Sequence, residues 1–221
     1  MKMKSLITLF FIASMATGFV SCAQQASNKV ETKNTKADLS KYSHAAFAAG
    51  CFWHEEALFE SVKGVKEAVS GYAGGTAKNP DYEMVETGNT GHAESVMVYY
   101  DSSQISYETL LKVYFAGQDP TSVNGQSPDF GTQYRSIAFY DNNAQKAQIE
   151  NYIRQLQASK KYSEPIAVQV MPITKFWNAE NYHQDYIEKN PASMYVQHVS
   201  IPEIKQFQKE YPQLIKPGHF F

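Results

Sequence analysis

The spacing of apolar positions along the chain predicts alternating strands and helices. Apolar residues at positions 52, 53, 57, 58, 59 and 62 recur at helical spacing, whereas short apolar or alternating runs on either side are typical of strands. The predicted strands are 44–49, 65–73, 91–100, 135–140 and 166–171. The predicted helices are 52–62, 107–116, 143–159, 178–189 and 203–211.

This order of elements predicts an α+β fold. It runs β-α-β, β-α-β and then α-β-α, which favours a split βαβ (ferredoxin-like) two-layer sandwich with extra helices and long loops. A doubly wound dinucleotide-binding fold is disfavoured because no G-x-G-x-x-G motif stands at the first strand–helix turn. The predicted loop 118–133 is long, and long loops inside compact domains are often functional.

The first residues have the pattern of an export signal. Lys2 and Lys4 precede a largely apolar stretch, 6–20, which is shorter than the ~20 residues needed to span a bilayer. Ser21 before Cys22 is similar to a bacterial lipoprotein processing site, in which Cys22 becomes the lipidated first residue. Lipidation is favoured over ordinary secretion. We therefore expect an exported protein that is membrane-anchored through Cys22, or otherwise periplasmic or secreted.

The predicted organisation is a signal peptide over 1–21, a flexible tether over 22–42 and a folded domain over 43–221. Residues 23–41 contain no aromatic side chain and mix Ala, Gln, Asn, Thr and Lys, which is typical of a linker. Hydrophobic residues make up 43% of the chain and aromatic residues 14%, as expected for a globular core. The net charge of −2 and the lack of a basic patch disfavour a nucleic-acid partner, and we expect a monomer.

Cys51 is the first candidate for chemistry because it is the only cysteine beyond the export signal and its processing site. It stands at the predicted start of a helix, whose dipole favours a thiolate, and the rings of Phe52 and Trp53 follow it. The charges of Glu55 and Glu56 in the same first turn would raise the thiol pKa, so a proton partner is required. The alternative is a structural cysteine buried as a small apolar side chain.

Glu94 is the best candidate for that proton partner. If the strand 91–100 alternates, His92, Glu94 and Val96 share one of its faces. A glutamate that faces a sheet interior is costly unless it is protonated or hydrogen-bonded, and a carboxyl group kept neutral by burial can act as a general acid. The alternative is a solvated glutamate on the outer face.

Tyr82, Asp129 and Tyr134 are weaker candidates when taken alone, since the chain contains 15 tyrosines. A metal site is disfavoured because none of the 6 histidines pairs with another at the i, i+4 spacing of a helical zinc site. A disulfide between Cys22 and Cys51 is also disfavoured, because nothing in the sequence places Cys22 near the folded domain.

Together these segments resemble the peptide methionine sulfoxide reductases of the A type. The resemblance covers about residues 43–192, and several separate motifs in the family's order are more specific than any one of them. The residues that carry it are Gly50-Cys51-Phe52-Trp53 with Glu56, Gly71-Tyr72-Ala73-Gly74-Gly75, Asn79-Pro80-Asp81-Tyr82, Thr90-Gly91-His92-Ala93-Glu94, Asp119-Pro120-Thr121, Gly131-Thr132-Gln133-Tyr134-Arg135-Ser136, His183-Gln184 and Lys189-Asn190-Pro191.

The resemblance implies that 43–221 is a catalytic domain that reduces methionine S-sulfoxide, free or protein-bound, to methionine. It implies that Cys51 attacks the sulfoxide sulfur and is left as a sulfenic acid, and that Glu94 protonates the sulfoxide oxygen. General acid help is needed because the oxygen of a sulfoxide is a poor leaving group.

The resemblance also implies roles for the remaining candidates. Tyr82 and Tyr134 would donate hydrogen bonds to the sulfoxide oxygen, and Asp129 would support them through Tyr134 and nearby water. Phe52 and Trp53 would hold the methyl group of the substrate in an apolar pocket. Such a pocket discriminates by only ~1–3 kcal/mol, so the polar oxygen site would contribute most of the recognition.

The sequence departs from the family pattern at three points. His54 and Gln118 stand where many relatives have glycine and histidine, and no cysteine follows Cys51. We therefore expect no bound cofactor and direct reduction of the sulfenic acid by an external thiol, either a thioredoxin-like protein or another reductant. The expected partners are oxidised proteins or free methionine sulfoxide, that reductant, and a membrane bound through the lipid anchor.

Two other functions remain open from the residues alone. A cysteine peroxidase or hydrolase would pair Cys51 with a histidine base, for which His54 and His92 are the candidates. A lipid-anchored binding module without catalysis would bind exposed methionine or aromatic groups, and substitution of Cys51 would leave it unaffected.

Overall fold

The computed structural model describes residues 38–219. The predicted signal peptide 1–21, the lipidation site Cys22 and most of the tether 22–42 lie outside these residues. None of the helices within 38–219 is both long enough and apolar enough to cross a bilayer.

A mixed six-stranded sheet forms the centre of the domain, with the strands in the order β7-β6-β1-β3-β2-β8. These strands are β1 (Ser43–Ala48), β2 (Val65–Ala73), β3 (Ala93–Tyr100), β6 (Ile137–Tyr140), β7 (Gln169–Pro172) and β8 (Phe176–Asn178), and a separate hairpin joins β4 (Gly125–Gln126) to β5 (Asp129–Phe130). Strand β3 lies between β1 and β2 and is antiparallel to both, so that β1 and β2 run in the same direction. Strands β6 and β7 pair in parallel.

The α-helices of the described residues are α1 (Phe52–Glu60), α2 (Tyr82–Glu86), α3 (Tyr107–Ala116), α4 (Asn143–Ser159), α5 (Tyr186–Lys189) and α6 (Ile201–Glu210). A π-helical segment, Val196–Ser200, leads directly into α6, and 3₁₀ turns cover Leu39–Lys41, Thr132–Tyr134 and Pro212–Leu214. Helices α3 and α4 start where the sequence supplies a polar cap. Ser106 accepts from the N–H of Thr109, and Asn142 accepts from the N–H of Gln145.

Core side chains alternate between the two faces of the sheet with the two-residue period of the strands. In β1, Ala45 and Phe47 belong to the large core cluster, whereas Ala46 and Ala48 belong to a smaller cluster, as expected for alternate side chains on opposite faces. Phe47 is fully buried, and its ring stacks on Phe59 of α1 at a centroid distance of 5.2 Å. Burial of one such side chain stabilises the fold by about 1.5–3 kcal/mol, so α1 is fixed firmly against the sheet.

The end of α1 is also tied to a segment much later in the chain. The N–H of Lys63 donates to Leu214 O over 2.7 Å, and the N–H of Lys216 donates to Ser61 O over 2.8 Å. Val62 and Ile215 form an isolated antiparallel bridge between these two bonds. Residues 214–216 therefore hold the turn that follows α1.

The expected α+β class is confirmed, but the helix predicted over 178–189 is wrong. The strand β8 occupies Phe176–Asn178, with Trp177 opposite Tyr72 of β2, and helix forms only over Tyr186–Lys189. Asp185, immediately before that helix, has a left-handed φ of 54° that interrupts any continuous helix. The edge of β2 offers pairing partners to 176–178, and this tertiary contact overrides the local helical pattern.

Candidate active site

Cys51 lies between β1 and α1, as the N-cap residue of α1, and its side chain is partly exposed. Gly50 before it has a φ of 64°, a left-handed conformation that favours glycine. Its N–H donates to Tyr134 O over 3.0 Å, and a Cβ at this position would come within 2.8 Å of Gln126 Cβ. The chain can therefore turn sharply here and present the thiol at the helix start.

Glu94 lies in β3 next to the nucleophile segment, and only 2% of it is exposed. Its Oε2 accepts a hydrogen bond from the N–H of Phe52 over 3.0 Å. Burial raises the pKa of Glu94 well above its usual value, and the charges of Glu86 and Asp129 raise it further against the lowering effect of the Phe52 N–H. The environment of the carboxyl group therefore favours its neutral, protonated form, which can donate a proton.

The thiol of Cys51 is also protonated at neutral pH. Burial raises the pKa of Cys51 well above its usual value, with a further increase from any charge on Glu94, while hydrogen bonds with Trp53 N–H and the Tyr195 hydroxyl lower it. As expected from the sequence, the dipole of α1 alone therefore does not convert the thiol to a thiolate. Proton movement must accompany attack by this sulfur.

The sequence predicts that Glu55 and Glu56 raise the pKa of the Cys51 thiol through their negative charges. Both side chains are buried, and burial raises the pKa of Glu55 well above its usual value and that of Glu56 to about 8. Burial therefore disfavours the expected negative charge on both side chains. Glu56 instead accepts a hydrogen bond from the N–H of Asp185 over 2.9 Å and so joins α1 to α5.

The two predicted phenols lie near Glu94. The Tyr134 hydroxyl donates to both carboxylate oxygens of Glu86, each at 3.0 Å, and Tyr82 begins α2, with its N–H donating to Glu180 Oε1 over 3.0 Å. Burial raises the pKa of both phenols, and the charges of Glu94 and Glu86 raise them further. Both hydroxyl groups therefore keep their protons. The Tyr134 proton is donated to Glu86, so it must turn away from Glu86 before it can be donated to a substrate oxygen.

Asp129, which was expected to act through Tyr134 and nearby water, forms its direct side-chain hydrogen bond with Tyr195. Its Oδ2 accepts a short hydrogen bond from the hydroxyl of Tyr195, whereas Tyr134 bonds to Glu86. The Tyr195 hydroxyl also interacts with the sulfur of Cys51 and lowers the pKa of that thiol. Tyr195 therefore connects Asp129 to the nucleophile, and the expected support of Tyr134 comes from Glu86.

The aromatic residues after Cys51 differ in exposure. Phe52 is only 1% exposed and packs against His183, with ring centroids 4.9 Å apart, whereas Trp53 is half-buried. The Trp53 ring stacks on Tyr186 at a centroid distance of 3.6 Å, and its indole N–H donates to His183 Nδ1 over 3.0 Å. Trp53 thus presents the more accessible apolar surface, and two residues from the 176–189 region fix its orientation.

Several residues of this site were missed from the sequence, namely Glu86, Glu180, His183 as a partner of Trp53, and Tyr195. The spacing of Tyr82 and Glu86, i and i+4 in a helix, could have indicated that Glu86 lies on the same side of α2 as Tyr82. Glu180 and Tyr195 carry no local signal, because both reach the site from distant parts of the chain.

The histidine candidates do not act as bases beside the sulfur. His92 is buried, with Nδ1 accepting from the N–H of Gly75 over 3.1 Å and Nε2 lying 2.8 Å from Ala77 O. His54 lines the same cavity as Cys51, but burial lowers its pKa to about 4. Such a weak base cannot remove a proton from a thiol efficiently.

A cavity of about 480 Å³ opens beside the sulfur, lined by Cys51, Asp129 and Tyr195 among others. Within the described residues, neither Glu94 nor the phenols of Tyr82 and Tyr134 line it. Glu94, Tyr82 and Tyr134 form what we call the acid–phenol cluster. The sulfur therefore borders both this cluster and the open cavity. No group of three or more His, Cys, Asp or Glu side chains in residues 38–219 has the arrangement of a metal site.

A free thiol at a helix start, flanked by a protonated carboxyl group and by phenols, defines a cysteine-based oxidoreductase. Comparison with known families gives the same class and a narrower assignment. The family model described as peptide methionine sulfoxide reductase matches residues 43–215. The chain belongs to the peptide methionine sulfoxide reductase family.

Curated relatives agree with this assignment. Peptide methionine sulfoxide reductase MsrA 2 of Synechocystis is 44% identical over 173 residues, which is 78% of this chain and 81% of the relative. MsrA 2 of Mesorhizobium japonicum is 46% identical over 171 residues, which is 77% of this chain and 88% of the relative.

Solved structures are similar as well. Mxr1 from Saccharomyces cerevisiae in reduced form superposes with a TM-score of 0.66 at 34% identity, covering 73% of this chain and 92% of that one. Methionine sulfoxide reductase A of Corynebacterium diphtheriae gives a TM-score of 0.61 at 32% identity, covering 68% of this chain and 76% of that one.

Proposed function

We propose that this protein reduces methionine S-sulfoxide, free or within oxidised proteins, to methionine, with Cys51 as the nucleophile. The observation that carries the proposal is the position of Glu94, a protonated carboxyl group hydrogen-bonded to the residue that follows the nucleophile. An acid held there can protonate the sulfoxide oxygen while the adjacent sulfur attacks. General acid help of this kind contributes roughly 10²–10⁴-fold in rate.

The first half of the reaction oxidises Cys51 and reduces the substrate. The Cys51 sulfur attacks the sulfoxide sulfur and forms an S–S bond, while the proton of Glu94 and the thiol proton pass to the oxygen, so that the S–O bond breaks and water leaves. A water molecule then attacks the Cys51 sulfur, the S–S bond breaks and methionine leaves. Cys51 is left as a sulfenic acid, and the proton lost by the water restores the carboxyl group. The methionine sulfur is reduced by two electrons, and the Cys51 sulfur is oxidised by two.

The neighbouring residues then have separate roles. The Tyr82 hydroxyl donates to the oxygen as its negative charge develops, and the Tyr134 hydroxyl does so once its proton turns from Glu86 to the oxygen. Asp129 accepts a hydrogen bond from Tyr195 and acts on the Cys51 sulfur through that residue. Trp53, with Phe52 behind it, provides the apolar surface for the substrate methyl group.

The second half of the reaction returns Cys51 to the thiol. Residues 52–221 contain no cysteine, so none of them can form a disulfide with Cys51. We infer that an external thiol reductant, a thioredoxin-like protein or another thiol, reduces the sulfenic acid directly and that no bound cofactor takes part.

The test is an assay of the purified full chain with the S and R epimers of methionine sulfoxide and dithiothreitol. The expected result is turnover of the S epimer only, lost in Cys51→Ser and retained in the matched exposed-site variant Ser102→Ala. Faster turnover of peroxide or esters than of the sulfoxide would instead indicate the cysteine peroxidase or hydrolase. Activity in Cys51→Ser equal to that of the unsubstituted chain would contradict the role of the thiol.

We also propose that the fold is ferredoxin-like. Helix α1 connects β1 to β2, β3 lies between these strands, and α3 connects β3 to β6 on the other side of β1. The resulting order β6-β1-β3-β2 supports a split βαβ two-layer sandwich, to which β7, β8 and the remaining helices are additions.

For localisation, we propose export by residues 1–21, lipidation of Cys22 and a tether over 22–42, with 43–221 as a monomeric catalytic domain. The support is the charged and apolar pattern before Ser21-Cys22. Labelled fatty acid should be incorporated into the chain expressed in bacteria and should be absent from Cys22→Ala. Equal labelling of both would contradict the proposal.

A further inference from the structure

The cavity beside Cys51 contains four carboxyl groups and, among the described residues, no lysine or arginine. Its acidic lining consists of Asp119, Asp129, Glu203 and Glu210. The cavity's histidine, His54, has its Nδ1 3.6 Å from Glu203 Oε2 and is neutral near pH 7, because burial lowers its pKa to about 4. The space next to the sulfur is therefore electrically negative.

The carboxyl groups of this lining also affect one another. Burial raises the pKa of Glu203, and the charge of Asp129 raises it further. Two carboxylates that repel each other in this way are each stabilised by a nearby positive charge. A positively charged group that entered the cavity would relieve this repulsion.

The position of the cavity relative to the acid–phenol cluster is the second part of the argument. In the proposed reaction, Glu94, Tyr82 and Tyr134 hold the oxygen that Cys51 acquires. A thiolate that displaces this oxygen must approach along the S–O axis from the far side of the sulfur, since its electron pair enters the antibonding orbital of that bond. Of the two surroundings of the sulfur, the cavity is the one not lined by the acid–phenol cluster.

We propose that this cavity is the entry site of the reducing thiol, and that its carboxyl groups select thiols with a positive charge near the sulfur over anionic ones. The inference rests on the proposed function and identifies the second substrate of the same site. Fields of this kind raise the local concentration of oppositely charged molecules and their rates of association, and salt weakens them.

The chemistry of the step balances without any further reactant. The thiolate of the reductant attacks Cys51 Sγ, an S–S bond forms, and the S–O bond breaks. The hydroxide leaves with the proton of Glu94 as water. A second thiolate then attacks the reductant sulfur of this mixed disulfide, which releases Cys51 and a disulfide of the reductant, so that two thiols supply the two electrons.

The experiment first isolates the oxidation half of the reaction. The full chain is mixed with excess methionine S-sulfoxide without a reductant, and released methionine is measured. One methionine per Cys51 shows that the proposed function holds, whereas no release would overturn the proposed function and this inference with it.

The oxidised enzyme is then reduced by three small thiols of different charge: 2-aminoethanethiol, 2-mercaptoethanol and 3-mercaptopropionate. Rate constants are expressed per thiolate, and the ratio for cationic over anionic thiol is compared between the unsubstituted chain and the variant Asp119→Asn/Glu203→Gln/Glu210→Gln. A matched control, Glu83→Gln/Glu108→Gln/Glu164→Gln, removes the same formal charge at exposed positions that do not line the cavity.

The expected result is a cation-to-anion ratio that falls by about tenfold or more in the cavity variant, stays within about twofold in the control, and decreases with added salt in the unsubstituted chain. Release of one methionine per enzyme should be the same in all three proteins. An equal ratio in the cavity variant and the unsubstituted chain would overturn the inference and leave the proposed function intact, as would equal falls in both variants.

Discussion

The backbone N–H of Phe52 donates a hydrogen bond to Oε2 of Glu94 over 3.0 Å. This bond fixes the carboxyl group beside the residue that follows the nucleophile. Because an N–H lowers a carboxyl pKa, it also opposes the effect of burial on Glu94 without reversing it. The acid is thus held in position and remains protonated.

Glu94→Gln should lower kcat by about 10²-fold or more, because an amide keeps the acceptor for Phe52 N–H but cannot give up a proton. Single-turnover methionine release from the S-sulfoxide measures this directly. Glu83→Gln, at an exposed position of α2, is the matched control and should retain full activity. A kcat for Glu94→Gln within twofold of the unsubstituted chain would rule out general acid catalysis by this residue.

Tyr134→Phe should lower kcat by about tenfold, since it removes one hydroxyl donor to the developing oxygen charge and leaves the ring in place. The KM for methionine sulfoxide should change less than kcat does. Tyr99→Phe, a half-buried phenol in the same strand as Glu94, serves as the control. If the loss appears only in KM, Tyr134 binds the substrate without stabilising the transition state.

Tyr195→Phe should raise the pKa of the Cys51 thiol, because the Tyr195 hydroxyl lowers that pKa by hydrogen bonding to the sulfur. The rate of alkylation by iodoacetamide, followed between about pH 7 and 10, reports the thiolate fraction. The profile of the variant should shift to higher pH. An unchanged or lower midpoint would show that Tyr195 does not act on the sulfur.

Glu56→Gln should reduce the loss of stability that accompanies rising pH. The folded-state pKa of Glu56 is about 8, above its ordinary value of 4.5, so the folded state binds the proton more tightly than the unfolded state. The stabilisation is complete below about pH 4.5 and is lost as the pH rises through about 8.

Urea unfolding at pH 5, 6, 7 and 8 measures this effect. The free energy of unfolding of the unsubstituted chain should fall more steeply than that of Glu56→Gln, by up to about 1.4 kcal/mol per pH unit. The exposed-site variant Glu164→Gln should retain the steep slope. Parallel slopes for all three proteins would contradict the assignment.

Local patterns were sufficient for much of the fold. The strand predicted over 65–73 and the helix predicted over 143–159 are confirmed at both ends as Val65–Ala73 and Asn143–Ser159. The helix is bounded by the Asn142 cap and by Lys160 in a left-handed conformation, with φ 55°. Where the turn chemistry and the apolar period agree, the sequence alone defines the element.

The parts that were missed depend on contacts between distant segments. Trp177 pairs with Tyr72, and its own neighbours in the sequence give no sign of this strand. The association of Cys51 with Glu94 could be predicted from the sequence, because each residue lies at the border of a strongly patterned strand. The role of Tyr195 could not be predicted, because its contact with Asp129 joins residues that are 66 positions apart.

The attachment of residues 214–216 to the turn after α1 has a consequence for biosynthesis. Cys51 is synthesised early. Tyr195, and residues 214–216, which hydrogen-bond with Ser61 and Lys63, are synthesised about 150 residues later. A ribosome-bound chain that has not reached residue 195 carries its thiol without the phenol that tunes it. The nucleophile therefore acquires its final chemical environment only after residue 195 has been synthesised.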